Sequence, residues 1–227
     1  MLCYNKKRIK FKSAKGDFNL AKKIIITIAR QYGSGGREIG EKISKLIGIP
    51  MYDKELITEA AANGNLSEDV IKNVDESAAN SLLYTLAMGS NVMGHGAFGY
   101  KMPLNDKLFI LQSDVIKKYA KEGSAVIIGR CADYVLKDEE NVLRLFIYGD
   151  LEQRKARIAE RHPEIKSSQI VDVINKTDKR RASYYNFYTG NKWGKYDNYD
   201  MAINSSTLGI DGTAEIIAAI AKKLAEE

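Results

Sequence analysis

The chain has little cysteine, few histidines and no long apolar run. Cys3 and Cys131 are its two cysteines, too few for a disulfide-dense secreted scaffold. No stretch approaches the 18 or so apolar residues of a membrane-spanning helix, so none is expected. The early basic residues are not followed by an apolar segment with a small-residue cleavage site, so the start does not read as a secretory signal. A reducing cytoplasm is the simplest compartment. His95 and His162 lie too far apart and are too weakly framed to indicate a metal site. No internal repeat is visible, and no Ser/His/Asp nucleophile set can be assembled.

What is present is ordinary globular material: 227 residues, 44% hydrophobic and 28% charged. Such a composition excludes a disordered chain and fits one compact domain with a sizeable core. The net charge of +6 comes from 35 basic against 29 acidic residues. Residues 1–23 hold eight of the basic residues against Asp17 alone, which leaves 27 basic and 28 acidic residues in the remainder. Basicity therefore belongs to an N-terminal arm, 1–23, and not to the domain proper, 24–227. Such an arm is either simply solvated or touches nucleic acid or a membrane surface.

Residues 24–29 form a β-branched run of strand length, continuous enough to be buried on both faces as in a parallel sheet. Gly33-Ser34-Gly35-Gly36 follows as a turn. A helical pattern then places Ile39, Ile43, Leu46 and Ile47 on one face, with Gly48 as its stop. Further buried strands are expected at 125–129 and 142–149, a weaker one at 201–204 and a very short one before Asp53. Helices are expected at about 54–62, 76–88, 105–122, 151–161, 168–187 and 213–225. In the 105–122 segment, Leu108, Leu111, Val115, Ile116 and Tyr119 share a face. Strands separated by helices imply a mostly parallel sheet covered on both sides. Residues 89–103 read as a long loop, either a substrate-side flap or an oligomer contact.

Four segments could carry chemistry. The first is the glycine turn with Arg37 behind it. Glycines let backbone N–H groups close around a phosphate, and the next helix aims its positive end there. The P-loop pattern G-x-x-x-x-G-K-[ST] is not met: aligned on Gly35, its first glycine is Arg30, its lysine is Gly36 and its Ser/Thr is Arg37. Arg37 is the nearest cation, and Ser34 or a water could replace the usual magnesium ligand; the alternative is a turn with no ligand. The second is Gly129-Arg130 at a strand end, where open α/β sheets bind ligands; Arg130 would instead cap the next helix or pair with Asp133. The third is Arg154, Arg157 and Arg161 on one helix face. They converge on a polyphosphate or form a solvated face with Glu152 and Glu160. The fourth runs from Lys176 to Arg181 into Tyr184, Tyr185, Phe187, Tyr188, Trp193, Tyr196 and Tyr199. Basic residues among aromatics suit single-stranded nucleic acid, or a lid that grips phosphates. Ordinary packing accounts for most of the aromatics. Cys131, next to Arg130, is either reactive or a small buried thiol.

In this order the segments resemble the cytidylate kinase family of nucleoside monophosphate kinases, and most of all its cytidylate kinase-like branch. The residues that carry the resemblance are Tyr32-Gly33-Ser34-Gly35-Gly36-Arg37-Glu38-Ile39, Tyr52-Asp53-Lys54-Glu55-Leu56-Ile57 and Ile127-Ile128-Gly129-Arg130-Cys131-Ala132-Asp133-Tyr134. Asp178 with Arg181, Tyr184-Tyr185, and the closing run from Tyr199 to Ser206 complete the set. The resemblance implies a P-loop NTPase-like α/β fold: a five-stranded parallel sheet with helices on both faces, a monophosphate-binding insertion and a helical lid at about 151–199. It implies ATP- and Mg²⁺-dependent phosphoryl transfer to a nucleoside monophosphate, CMP or dCMP. By the same resemblance, Gly33, Ser34, Gly35, Gly36 and Arg37 would hold the ATP phosphates. Asp53, Lys54, Arg130, Asp178 and Arg181 would bind the monophosphate, and Arg154 and Arg157, with Arg37, would act on the transferring group. The chain departs from the family in lacking the P-loop lysine. Ile128 replaces an acidic residue before Gly-Arg, and Cys131 an aspartate after it. A nucleotide-binding regulator without the chemistry is the alternative reading, and a nucleic-acid-binding protein the third. The sequence assigns no magnesium ligand and no oligomeric state.

Overall fold

A computed structural model describes residues 22–64 and 103–226. The expected helix at 76–88, the loop at 89–103 except its last residue, and most of the basic arm lie outside the described residues. The first strand, β1 (Ile25–Arg30), is followed by α1 (Gly36–Ile47), β2 (Met51–Tyr52) and α2 (Glu55–Asn63). Then come α3 (Leu104–Glu122), β3 (Ala125–Ile128), the short α4 (Ala132–Val135) and β4 (Val142–Tyr148). The chain closes with α5 (Leu151–Arg161), α6 (Ile170–Thr189), β5 (Met201–Asn204) and α7 (Ser205–Glu226).

The five strands form one sheet in the order β2-β3-β1-β4-β5, and every pairing is parallel. β1 is the middle strand, with Ile25 opposite Ala125 on one side and Val142 on the other. Its alternate residues feed two layers. Ile24, Ile26 and Ile28 pack with Ile39, Ile43 and Ile47 of α1 and with Ile217 and Ala221 of α7. Ile25 packs on the other face with Leu56 and Ala60 of α2 and Val115 and Ile116 of α3. Burial of both faces explains why β1 is apolar from Ile25 to Ala29 apart from Thr27.

Three details depart from the sequence expectation. Leu46 does not join the buried face of α1 but stands 39% exposed, because a step of four from Ile39 to Ile43 to Ile47 defines the face and Leu46 is off it. The last helix starts directly after β5 and is broken at Gly209 (φ 68°, ψ −177°), so 213–225 is only its second piece. The helix expected from 168 is preceded by a 3₁₀ turn, Ser167–Gln169. The carboxyl ends of all five strands point to one edge, and there the glycine turn, the Gly129-Arg130 step and the arginine helix meet.

Candidate functional site

The turn after β1 is bound tightly into the fold. Gly33 and Gly35 both have φ of 79°, the left-handed region that a side chain disfavours. A Cβ on Gly33 would stand 2.9 Å from the Arg154 carbonyl oxygen, so the turn has no room for one. Ser34 is buried; its hydroxyl donates to the Gln31 carbonyl at 2.9 Å. Ser205 Oγ donates to Ser34 O at 2.7 Å and ties the turn to the start of α7. No side chain caps α1, so its first N–H groups have no partner from a capping residue. The guanidinium carbon of Arg157 lies 3.3 Å from the place of a Cβ on Gly35. Glycine backbone, helix start and a nearby arginine together make an anion-binding environment.

A network of charges holds this turn from behind. Arg154, 7% exposed, donates from Nε to Tyr32 O at 2.7 Å and from Nη2 to Asp178. Asp178 Oδ1 accepts from the Tyr32 N–H at 2.7 Å. Both backbone groups of Tyr32 are thereby fixed by one ion pair. Arg181 donates to Arg30 O at 2.9 Å and lies over the Tyr32 ring, 5.6 Å from its centroid. Burial lowers the Arg181 pKa from its ordinary value, and the neighbouring Arg130 pushes the same way. Arg157 and Arg161 both bond Glu38. Arg37 turns away from the turn to Asp53 (2.8 Å) and Glu41 (2.6 Å), and the Asp53 hydrogen bond raises its pKa further.

Beside the turn a cavity of about 280 Å³ opens at the ends of β1 and β3, against α3 and α6. Arg30, Arg130, Arg180 and Arg181 line it, with Asp133 as its acidic residue. Its floor is unusual backbone: Gly129, Arg130 and Cys131 have φ of 67°, 58° and 55° in succession. Two non-glycine residues in the left-handed region are a local cost that the surrounding fold must hold in place. Asp133 accepts from Tyr185 Oη at 2.7 Å, and burial raises its pKa against that hydrogen bond. Burial also pushes the Cys131 thiol far up, which disfavours the thiolate that a nucleophile needs.

The sequence profile of the cytidylate kinase-like family matches residues 25–207. The chain belongs to the cytidylate kinase-like family. Its five-stranded parallel sheet with a glycine turn after the central strand is of the P-loop NTPase-like type. A crystal structure of an uncharacterized protein from Eubacterium ventriosum ATCC 27560 is similar at a TM-score of 0.63 and 28% identity, over 87% of this chain and 98% of that one. A shikimate kinase from Bacteroides thetaiotaomicron superposes at a TM-score of 0.49 and 11% identity, over 87% of this chain and 97% of that one. No curated protein matches the chain.

The residues singled out from sequence divide into groups in this cytidylate kinase-like protein. Arg130 and Arg181 line the cavity. Gly33, Ser34, Gly35 and Gly36 form the turn, with Arg157 against it. Arg154 and Asp178 are joined to each other and to Tyr32. Asp53 pairs with Arg37 at the end of β2, and Lys54 is exposed at the start of α2; neither lines the cavity. Arg30 and Arg180 fell inside candidate segments and Asp133 inside a family motif, but sequence reasoning gave none of the three an individual binding role; all three line the cavity. The signal for Arg30 was there: it occupies the place of the first P-loop glycine.

Proposed function

We propose that the protein transfers the γ-phosphoryl group of ATP to a nucleoside monophosphate, with CMP or dCMP as acceptor. The observation that carries this reading is the four-arginine cavity beside the glycine turn, in a chain of the cytidylate kinase-like family. Both substrates are polyanions, and phosphoryl transfer asks mainly for positioning and charge neutralisation. The turn residues, with Arg157, suit the donor phosphates. Arg130 and Arg181 suit the acceptor phosphate, and Gln112 and Tyr184 in the cavity wall suit its base. The acceptor oxygen is already deprotonated as a dianion, so the attack needs no general base.

The turn fits nucleotide phosphates better than it fits a protein-held magnesium ion. Arg37 stands where P-loops carry a Ser or Thr ligand and is engaged by Asp53 and Glu41. Ser34 gives its hydroxyl proton to Gln31 O. Magnesium would therefore ride on the nucleotide's own phosphates and water.

The test is ADP formation from ATP with CMP, dCMP, UMP, AMP and GMP, in magnesium and in EDTA. Turnover is expected with a pyrimidine monophosphate in magnesium. Arg130→Ala should lower kcat/KM about 100-fold or more, as loss of a charged contact to a transferring or anchored phosphate does. A folded protein that turns over none of the acceptors overturns the proposal. Gly36 in place of the lysine favours one other reading, a nucleotide-binding regulator. That reading requires thermal stabilisation by nucleotide without turnover.

A further inference from the structure

The P-loop pattern is broken at two places, and the two breaks touch each other. Arg30 stands at the first glycine position and Gly36 at the lysine position. A Cβ on Gly36 would lie 2.6 Å from Arg30 Cβ and 3.0 Å from Arg30 Cγ. The Arg30 stem thus fills the space through which a residue-36 side chain would leave the helix. Its guanidinium extends over Gly129, where a Cβ would meet Nη1 at 2.0 Å and Cζ at 3.1 Å. Gly36 and Gly129 together make room for one arginine. Its backbone carbonyl is held by Arg181 at 2.9 Å, so both the stem and the main chain are fixed.

We infer that Arg30 is a catalytic residue that supplies, from the end of β1, the cation that the turn lacks on α1. The inference rests on the phosphoryl-transfer reading above. Arg30 reaches the seam between β1 and β3, with the glycine turn on one side and the cavity it lines on the other. A cation there would lie between donor phosphates held on the turn and an acceptor phosphate held in the cavity. In the step, an acceptor phosphate oxygen forms the new P–O bond, the bond from the γ-phosphorus to the β,γ-bridging oxygen breaks, and the electron pair leaves with ADP. No proton moves. Charge spreads over the equatorial and leaving oxygens, and a planar guanidinium bonds two oxygens through a fixed fork, where a lysine ammonium acts as a compact point charge.

The test compares Arg30→Lys with Arg30→Gln, which both keep a long stem against Gly36. Arg30→Gln should lower kcat about 100- to 1000-fold with a smaller change in KM, the size seen when one preorganised donor is removed. Arg30→Lys should retain at least tenfold more activity than Arg30→Gln. An Arg30→Gln enzyme within threefold of the parent, or Arg30→Lys no better than Arg30→Gln, overturns the inference. If the parent protein turns over none of the acceptors, the phosphoryl-transfer reading fails by itself. The cation role is then read from calorimetric binding of tripolyphosphate. Binding at least tenfold weaker in Arg30→Gln than in the parent supports it, and equal binding overturns it.

Discussion

At the scale of single residues, the pair Arg154–Asp178 shows how a charge placed for packing differs from a charge placed for a ligand. Its side chains are 8% and 17% exposed, and it fixes both polar groups of the Tyr32 backbone. Removing one partner strands a buried charge and releases that backbone. Asp178→Ala should cost about 3 kcal/mol of unfolding free energy in urea. The double variant Arg154→Ala/Asp178→Ala should cost less than the two single changes together, because the stranded charge is gone. Additivity in that cycle would show the pair to be uncoupled. Asp133 makes a different case. Burial raises its folded pKa above the unfolded value of about 3.9. Between the two values the folded state holds the proton and the unfolded state does not, so stability falls as pH rises through that window. Urea midpoints from pH 4 upward should decline in the parent relative to Asp133→Asn. Parallel curves for the two proteins would contradict the assignment.

At the scale of elements, the step from β3 into α4 concentrates strain and ligand contact in three residues. Arg130 and Cys131 hold left-handed conformations that glycine adopts without cost. Arg130→Gly should therefore raise the unfolding free energy by about 1 kcal/mol while removing acceptor turnover, a division between stability and activity. A destabilised Arg130→Gly protein would show that the guanidinium is held for structure. The central elements were legible because β1, β3 and β4 are largely apolar runs and α1 repeats isoleucine every four residues, whereas β2 and β5 gave only short or weak signals. Leu46 was misplaced because apolar character alone does not fix a residue's angle on the helix. The kink at Gly209 went unread because one glycine between two helical stretches signals equally a turn or a tolerated interior residue. The glycine turn and Gly129-Arg130 were legible as local motifs. The cavity was not, since Arg30, Arg130 and Arg181 meet through the strand order β3-β1 and the packing of α6 over them. The same limit hid the pairing of Arg37 with Asp53, 16 residues away, and the partners of Asp178, 24 and 146 residues away.

At the scale of the whole molecule, two populations of positive charge do different work. The arginines around the cavity are few, fixed and drawn from three segments of a domain that is close to neutral overall. The surplus lies before the sheet. Deleting residues 1–21 removes six basic residues and Asp17, leaving a chain near +1. The core begins at Ile24, whose N–H bonds Ser124 Oγ at 3.1 Å, and Lys22 already joins the end of α7 through Ala225 O at 2.9 Å. Among the described residues, those that line the cavity or bond the turn all come from residue 29 onward. The truncated protein should therefore keep its urea midpoint and its kcat. Its elution from a cation exchanger should move to much lower salt. At about 0.15 M ionic strength, charges beyond roughly 8 Å are screened, so kcat/KM should stay within about twofold as well. A loss of kcat on truncation would place part of the arm at the site, and a lowered midpoint would place it in the core.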